Sequence, residues 1–237
     1  MRQASGRFGG AITSKARVTW AIVAVNILLY VAQLVHPSLA QDWSMVGFAR
    51  APNGGQAVGV AAGQWYRLFT SAFLPGTGGL GILDIAFNMW ALFIVGPALE
   101  RVLGSARYLA VYLVSALGGS IAYFFIAPAN VQALGASGAI FGLFGAWFVL
   151  SRRLGLDSRQ VVFLIVLNLA IGFAVPYIAW QAHVGGLVTG GLLTAAYAYA
   201  PRRNRALIQV AATVVIVAVL IIGLVVRDYQ LAGAVLL

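Results

Sequence analysis

Residues 106–127 read ARYLAVYLVSALGGSIAYFFIA. One arginine stands near the start, and no other charge follows. As a helix rising 1.5 Å per residue, the run is about 33 Å long, enough to cross a hydrocarbon core of about 30 Å. A helix on the surface of a soluble domain carries a polar face, and this run has none. Its solvent is therefore lipid. In lipid only helices and closed barrels satisfy every backbone polar group. The alternating polar and apolar segments of a barrel are absent, so the run is read as a helix.

Working outward, similar apolar runs cover 18–35, 81–99, 137–151, 161–179, 181–200 and 207–226, making seven with 106–127. The expected fold class is all-α, a polytopic transmembrane helix bundle. Composition agrees: 62% of the residues are hydrophobic and 8% charged, against about 25% charged in soluble domains. Residues 1–17 are expected to form a basic cytosolic tail, and 18–200 to hold the first six helices. The Gly- and Pro-rich stretch 36–80, with Trp43, Trp65 and Tyr66, reads as a long outer loop partly in the interface. Residues 201–237 hold a cytosolic turn, the seventh helix and a short outer tail. The run 18–35 lacks a small-residue cleavage motif and is expected to be a retained helix.

The chain holds 15 basic and 5 acidic residues, two histidines and no cysteine. Disulfides, thiolate catalysis and cysteine metal sites are excluded. A metal site would rest on five scattered carboxylates, and none is expected. Threading seven spans from a cytosolic N-terminus puts Arg2, Arg7, Lys15, Arg17, Arg101, Arg107, Arg152, Arg153, Arg159, Arg202, Arg203 and Arg205 inside. Only Arg50, Arg67 and Arg227 fall outside. The positive-inside rule selects this threading and places the C-terminus outside. The same asymmetry explains the basic balance without nucleic acid. Spans two, four and six then run in the same direction, starting in the outer leaflet.

Span four opens Leu134-Gly135-Ala136-Ser137-Gly138-Ala139-Ile140-Phe141-Gly142. From Ser137 to Ser151 it is about 22 Å long, too short to cross the hydrocarbon core. The preceding segment, 128–136, is expected to dip into the membrane and set Ser137 below the surface, beside a wet cavity. A serine there is commonly a helix cap or a packing residue. The flanking glycines favour chemistry: Gly135 lets a substrate approach, and Gly138 lets a second helix approach. Span six opens Trp180-Gln181-Ala182-His183-Val184-Gly185-Gly186 and continues to Gly190. His183, Gly186 and Gly190 share one helix face. Gly138, Gly142 and Gly145 form a matching strip, so close packing would bring His183 to Ser137. An ionisable residue inside a span is a functional candidate by default, the alternative being a neutral core histidine.

Span two carries Asp84 and Asn88 on one face, in its outer half. The Asn88 amide can donate to an oxyanion or make an interhelical hydrogen bond. Asp84 is open to three readings. A carboxyl group in an apolar site tends to stay protonated and can donate; an ionised one can orient His183; or it sits at the wet mouth of the cavity. A serine needs a base within hydrogen-bond reach and donors aimed at the developing charge. Ser137, His183, Asn88 and the Ser137 N–H can fill those parts.

At these residues the sequence resembles the bacterial rhomboid family of intramembrane serine proteases. Gly135-Ala136-Ser137-Gly138 matches its GxSG motif, and Ala182-His183-Val184-Gly185-Gly186 through Gly190 its histidine helix. Phe87-Asn88-Met89-Trp90-Ala91-Leu92 resembles its second span. Gly96-Pro97, Glu100-Arg101 and Gly104-Ser105 resemble its cytosolic turn, and Gln64-Trp65-Tyr66-Arg67-Leu68 its first loop. Together these motifs span roughly residues 18–200 in the family's order.

The resemblance implies a six-helix core, here with a seventh helix, and a Ser-His dyad that needs no cofactor. It implies transmembrane protein substrates, a place in the cell membrane and a lateral gate around 161–179. By position, Ser137 is the nucleophile and His183 the base. Asn88 and the Ser137 amide line the oxyanion hole. Asp84 stands where the family usually has a histidine. Two rivals remain: a catalytically impaired relative that binds membrane helices, and a small transporter with Asp84 on its pathway.

Overall fold

The computed structural model describes residues 15–50, 55–77, 81–176 and 178–235, with side chains through 231. Most of the basic tail, including Arg2 and Arg7, lies outside the described residues, as does part of the Gly-rich 76–81 stretch. Nine helices follow one another among the described residues: α1 (Arg17–Val35), α2 (Ser38–Trp43), α3 (Arg67–Thr70), α4 (Gly81–Leu103), α5 (Ser105–Ile126), α6 (Ser137–Leu154), α7 (Arg159–Ala174), α8 (Trp180–Tyr199) and α9 (Arg205–Val235). Each of the seven apolar runs carries a helix, although the one in 161–179 ends at Ala174. The last helix continues to Val235, so most of the short outer tail expected there is helix instead.

Three of the seven runs fall short of long apolar spans, and for 137–151 that is expected from its length. Among the described residues, only α1, α4, α5 and the stretch Arg202–Leu231 are both long and apolar enough to cross a membrane on their own. The exceptions have physical reasons. α6 and α8 sit with α5 at the centre of the bundle, where their faces meet protein rather than lipid and carry glycine, serine and threonine. α7 is apolar but only 16 residues long, and it buries just Val161 and Gly172. The chain is an all-α, multi-pass membrane bundle.

The outer helix α1 turns polar residues inward. α1 buries Thr19, Ile22, Asn26 and Gln33, a single stripe, while Leu28, Leu34 and Val35 face out. This inverts the pattern of a soluble helix, as lipid requires. At one end of the bundle, the buried Glu100 carboxylate accepts from Val18 N (3.1 Å), Thr19 N (2.8 Å), Thr19 Oγ1 (2.8 Å) and Ser105 Oγ (2.6 Å). One side chain thus caps the start of α1 and clamps it to the α4–α5 turn. At the same end Arg107 Nε donates to Gln209 Oε1 (2.7 Å), and Arg153 stacks over Tyr199 (5.2 Å). The arginines at the α4–α5, α6–α7 and α8–α9 turns therefore gather at one end.

At the other end the described part of the 36–80 stretch carries local structure of its own. It contains α2, a short antiparallel pair β1 (Ala49–Arg50) and β2 (Ala57–Val58), a 3-10 turn at Val60–Ala62, and α3. Buried Arg67 is its hub. Arg67 Nη1 donates to the carbonyls of Gln41 (2.7 Å) and Ser44 (2.9 Å), and Nε donates to Gln64 Oε1 (2.7 Å). Five donors in a rigid fork suit one side chain to hold several carbonyls. The loop grips the segment before α6 through a bridge between Met45 and Ala133. Ser120 Oγ ties α5 to the Leu68 carbonyl (2.7 Å).

Candidate active site

Ser137 is the first residue of α6, and Ala136 occupies the cap position. The capping role common for serine is therefore not the one Ser137 plays. Its backbone N–H belongs to the first turn, whose donors have no intrahelical partner. The approach to it is set by Gly135, whose φ of +143° is costly for any residue with a Cβ. A Cβ there would lie 3.3 Å from Ser137 Oγ and 3.8 Å from Asp84 Oδ2. Gly135 N–H donates to the Ser71 carbonyl (3.0 Å), which locks the segment before the serine onto the outer loop.

His183 is four residues into α8 and only 6% exposed. Its Nε2 lies 2.8 Å from Ser137 Oγ. The two elements reach that distance because glycines line their contact. A Cβ on Gly186 would collide with the Gly138 carbonyl, one on Gly190 with the Gly142 carbonyl, and one on Gly145 with the Leu187 carbonyl. A Cβ on Gly138 would stand 3.3 Å from the Ala182 carbonyl. The two glycine strips legible in the sequence thus face each other.

Phe141 is a part of the site that the sequence reading did not assign. It follows Ser137 by four residues, so α6 presents both on one face. Its ring stacks on His183 with centroids 4.2 Å apart and planes 8° from parallel. The i, i+4 spacing from Ser137 was the available signal. On its far side His183 faces α7: a Cβ on Gly172 would lie 3.4 Å from Nδ1.

Asp84 and Asn88 also lie at this end. Asn88 is buried, and its Nδ2 donates to Asp84 Oδ1 (2.9 Å). The interhelical bond weighed for Asn88 is thus replaced by one within its own helix. Asp84 Oδ2 accepts from Gly76 N–H (2.9 Å). Asp84 does not orient His183, because its oxygens face Gly76 and Asn88, and His183 Nδ1 makes no hydrogen bond among the described residues. A cavity of about 30 Å³ opens beside Ser137, walled by Met45, Ser71, Ser120, Leu134, Gly138 and Ala182. It joins the folded outer loop to the serine.

A nucleophile-type hydroxyl, an imidazole within hydrogen-bond reach, unspent helix N–H groups and a small cavity can together support acyl transfer. Residues 62–202 match the family model described as the rhomboid domain. The chain is 37% identical over 187 residues to Rhomboid protease GluP of Bacillus subtilis (strain 168), which is 77% of this chain and 35% of that protein. It is 39% identical over 145 residues to Putative rhomboid protease YdcA of the same strain, covering 59% of this chain and 71% of that one. It is 27% identical over 234 residues to Rhomboid protease AarA of Providencia stuartii, covering 82% and 80%. The chain thus spans about a third of the length of GluP and most of YdcA and AarA. With the rhomboid domain matched over more than half of its length, this chain belongs to the rhomboid family.

Proposed function

We propose that the chain is an intramembrane serine endopeptidase that cleaves transmembrane-helix substrates near the outer face of the membrane. The observation that carries the proposal is the 2.8 Å separation of Ser137 Oγ and His183 Nε2 on two glycine-lined helices. Ser137 attacks the scissile carbonyl carbon, and its proton passes to His183 Nε2. The tautomer that can accept it carries its own proton on Nδ1. The carbonyl oxygen becomes an oxyanion, met by the Ser137 N–H and the Asn88 amide. The C–N bond then breaks, and the leaving amine takes the proton from His183. Water attacks the acyl-Ser137 ester with His183 again as base, which releases the acid and restores the hydroxyl.

Gly135 leaves the side of Ser137 open to an extended substrate backbone. α7 buries few of its residues against the rest of the bundle, which suits it to move aside as a lateral gate. The chemistry needs no cofactor. The gathering of arginines at the Glu100 end supports a cytosolic N-terminus and an outer site in the cell membrane. That the family's relatives are named rhomboid proteases supports the reaction class.

A second reading, a non-cleaving relative that binds membrane helices, is favoured by Asp84. Labelling with a fluorophosphonate in detergent separates the two. Wild type is expected to label and Ser137→Ala not to, and each of Ser137→Ala and His183→Ala is expected to abolish cleavage of a model transmembrane substrate while remaining folded. Cleavage retained by either variant would overturn the assignment.

A further inference from the structure

Asp84 borders the site but takes no step in the reaction above, and its two hydrogen bonds say what it does. Oδ1 accepts from the Asn88 amide one helical turn away, and Oδ2 accepts from Gly76 N–H, both at 2.9 Å. Gly76 lies on a strap, residues 71–77, that leads from α3 towards α4. The strap is pinned at three points. Its Ser71 carbonyl accepts from Gly135 N–H (3.0 Å), its Pro75 carbonyl from Gln33 Nε2 of α1 (3.4 Å), and its Gly76 N–H reaches Asp84. The position of a Cβ on Gly135 is 3.8 Å from Asp84 Oδ2 and 3.3 Å from Ser137 Oγ, so the carboxylate and the nucleophile border the same corner.

A primary amide has two N–H groups in one plane. Engaging one of them with Asp84 fixes the rotation of the Asn88 side chain and so the direction of the other. A buried amide held by one strong acceptor loses the freedom it would otherwise give up on meeting a transition state. Asp84 itself accepts at both oxygens, one bond from its own helix and one from the strap.

We infer that Asp84 is a positioning residue: its carboxylate holds the Asn88 amide and the Gly76 strap together, and so aims the free Asn88 N–H at the oxyanion formed on Ser137. This rests on the protease reading given above. The role is that of a hinge pin between α4 and the outer loop, exercised through Asn88.

The test is a double-mutant cycle on the full chain in detergent, with a model transmembrane substrate. Turnover is expressed per site titrated by fluorophosphonate, so that loss of folded protein does not enter. Asp84→Ala is expected to lower kcat about tenfold or more with KM changed less than twofold, a loss confined to the transition state. Asn88→Ala is expected to lower kcat at least as much. The double variant should be no worse than Asn88→Ala alone, because the two residues act as one unit. The nearly isosteric Asp84→Asn keeps one acceptor oxygen for two donors, should fall between wild type and Asp84→Ala, and serves if Asp84→Ala does not fold. Losses that multiply in the double variant, or a rise in KM at constant kcat, would overturn the inference alone. Absence of any Ser137-dependent cleavage in wild type would overturn it together with the protease reading.

Discussion

Ser137 Oγ meets His183 Nε2 at 2.8 Å because Gly138, next to Ser137, and Gly186, about a turn from His183, let the two backbones touch. A Cβ on Gly186 would run into the Gly138 carbonyl, and backbone cannot swing aside as a side chain does. Gly186→Ala is therefore expected to push α8 from α6, lowering stability by about 1–3 kcal/mol. Misplacement of a catalytic pair by about 1 Å can cost on the order of a hundredfold in rate. Cleavage per folded molecule should thus fall by tenfold or more. Gly223→Ala on α9 is the control, since its Cβ would stand 3.5 Å from Phe125 Cε2, an ordinary contact. Thermal unfolding and cleavage measured on both variants check the contrast, and equal behaviour of the two would remove the steric argument.

Phe141 holds the imidazole flat at 4.2 Å. Such aromatic pairs contribute about 0.5–1.5 kcal/mol beyond the area they bury. Phe141→Leu keeps the apolar volume and loses the stack. It is expected to lower kcat by up to about tenfold while the protein stays folded, whereas Phe141→Tyr should retain most of the rate. Steady-state kinetics on the two variants decide the matter, and a fully active Phe141→Leu would show that the ring only fills space.

What the sequence made legible was whatever carries a period or a local motif. The seven apolar runs, the glycine strips of α6 and α8, and the Ser137–His183 pairing all follow from spacing along single helices. The strap that reaches Asp84 did not show, because the Gly76–Asp84 bond links a loop N–H to a side chain across a Gly-rich stretch with no period. For the same reason the hydrogen bonds of Arg67 to Gln41 and Ser44 could not be foreseen, since loop carbonyls carry no side-chain signature. The shortness of α6 and the glycine faces of α6 and α8 were legible, but their place at the centre of the bundle was not. Their burial against protein, which lets them be glycine-rich and less apolar, is a tertiary fact.

Glu100 is fully buried and accepts four hydrogen bonds that join α1, α4 and α5, at the end of α4 remote from Asp84. Removing the carboxylate strands several donors, and each buried unsatisfied donor costs about 1–3 kcal/mol. Glu100→Ala is expected to lower stability by at least about 3 kcal/mol. Glu100→Gln should do less damage, because one acceptor oxygen remains. The fraction that stays folded should cleave at the wild-type rate, since the bonds lost are far from Ser137. Thermal unfolding paired with turnover per titrated site reads both effects. Loss of turnover without loss of stability would contradict the structural role.

Arg67 links the outer loop to the segment before Ser137. Its guanidinium holds Gln41, Ser44 and Gln64, and the next residue along the loop, Met45, bridges Ala133 just before Gly135. Lysine keeps the charge but has no planar fork, so Arg67→Lys cannot serve all three acceptors in place. Loss of two such bonds to a charged donor is worth about 3 kcal/mol, most of it local to the loop. The transmembrane bundle should remain intact while the loop opens more often. Limited proteolysis should then cut between Phe48 and Gln64 faster than in wild type, and cleavage of substrate should fall as the Met45–Ala133 bridge loosens. A variant with unchanged loop proteolysis but reduced turnover would instead place Arg67 in contact with the substrate.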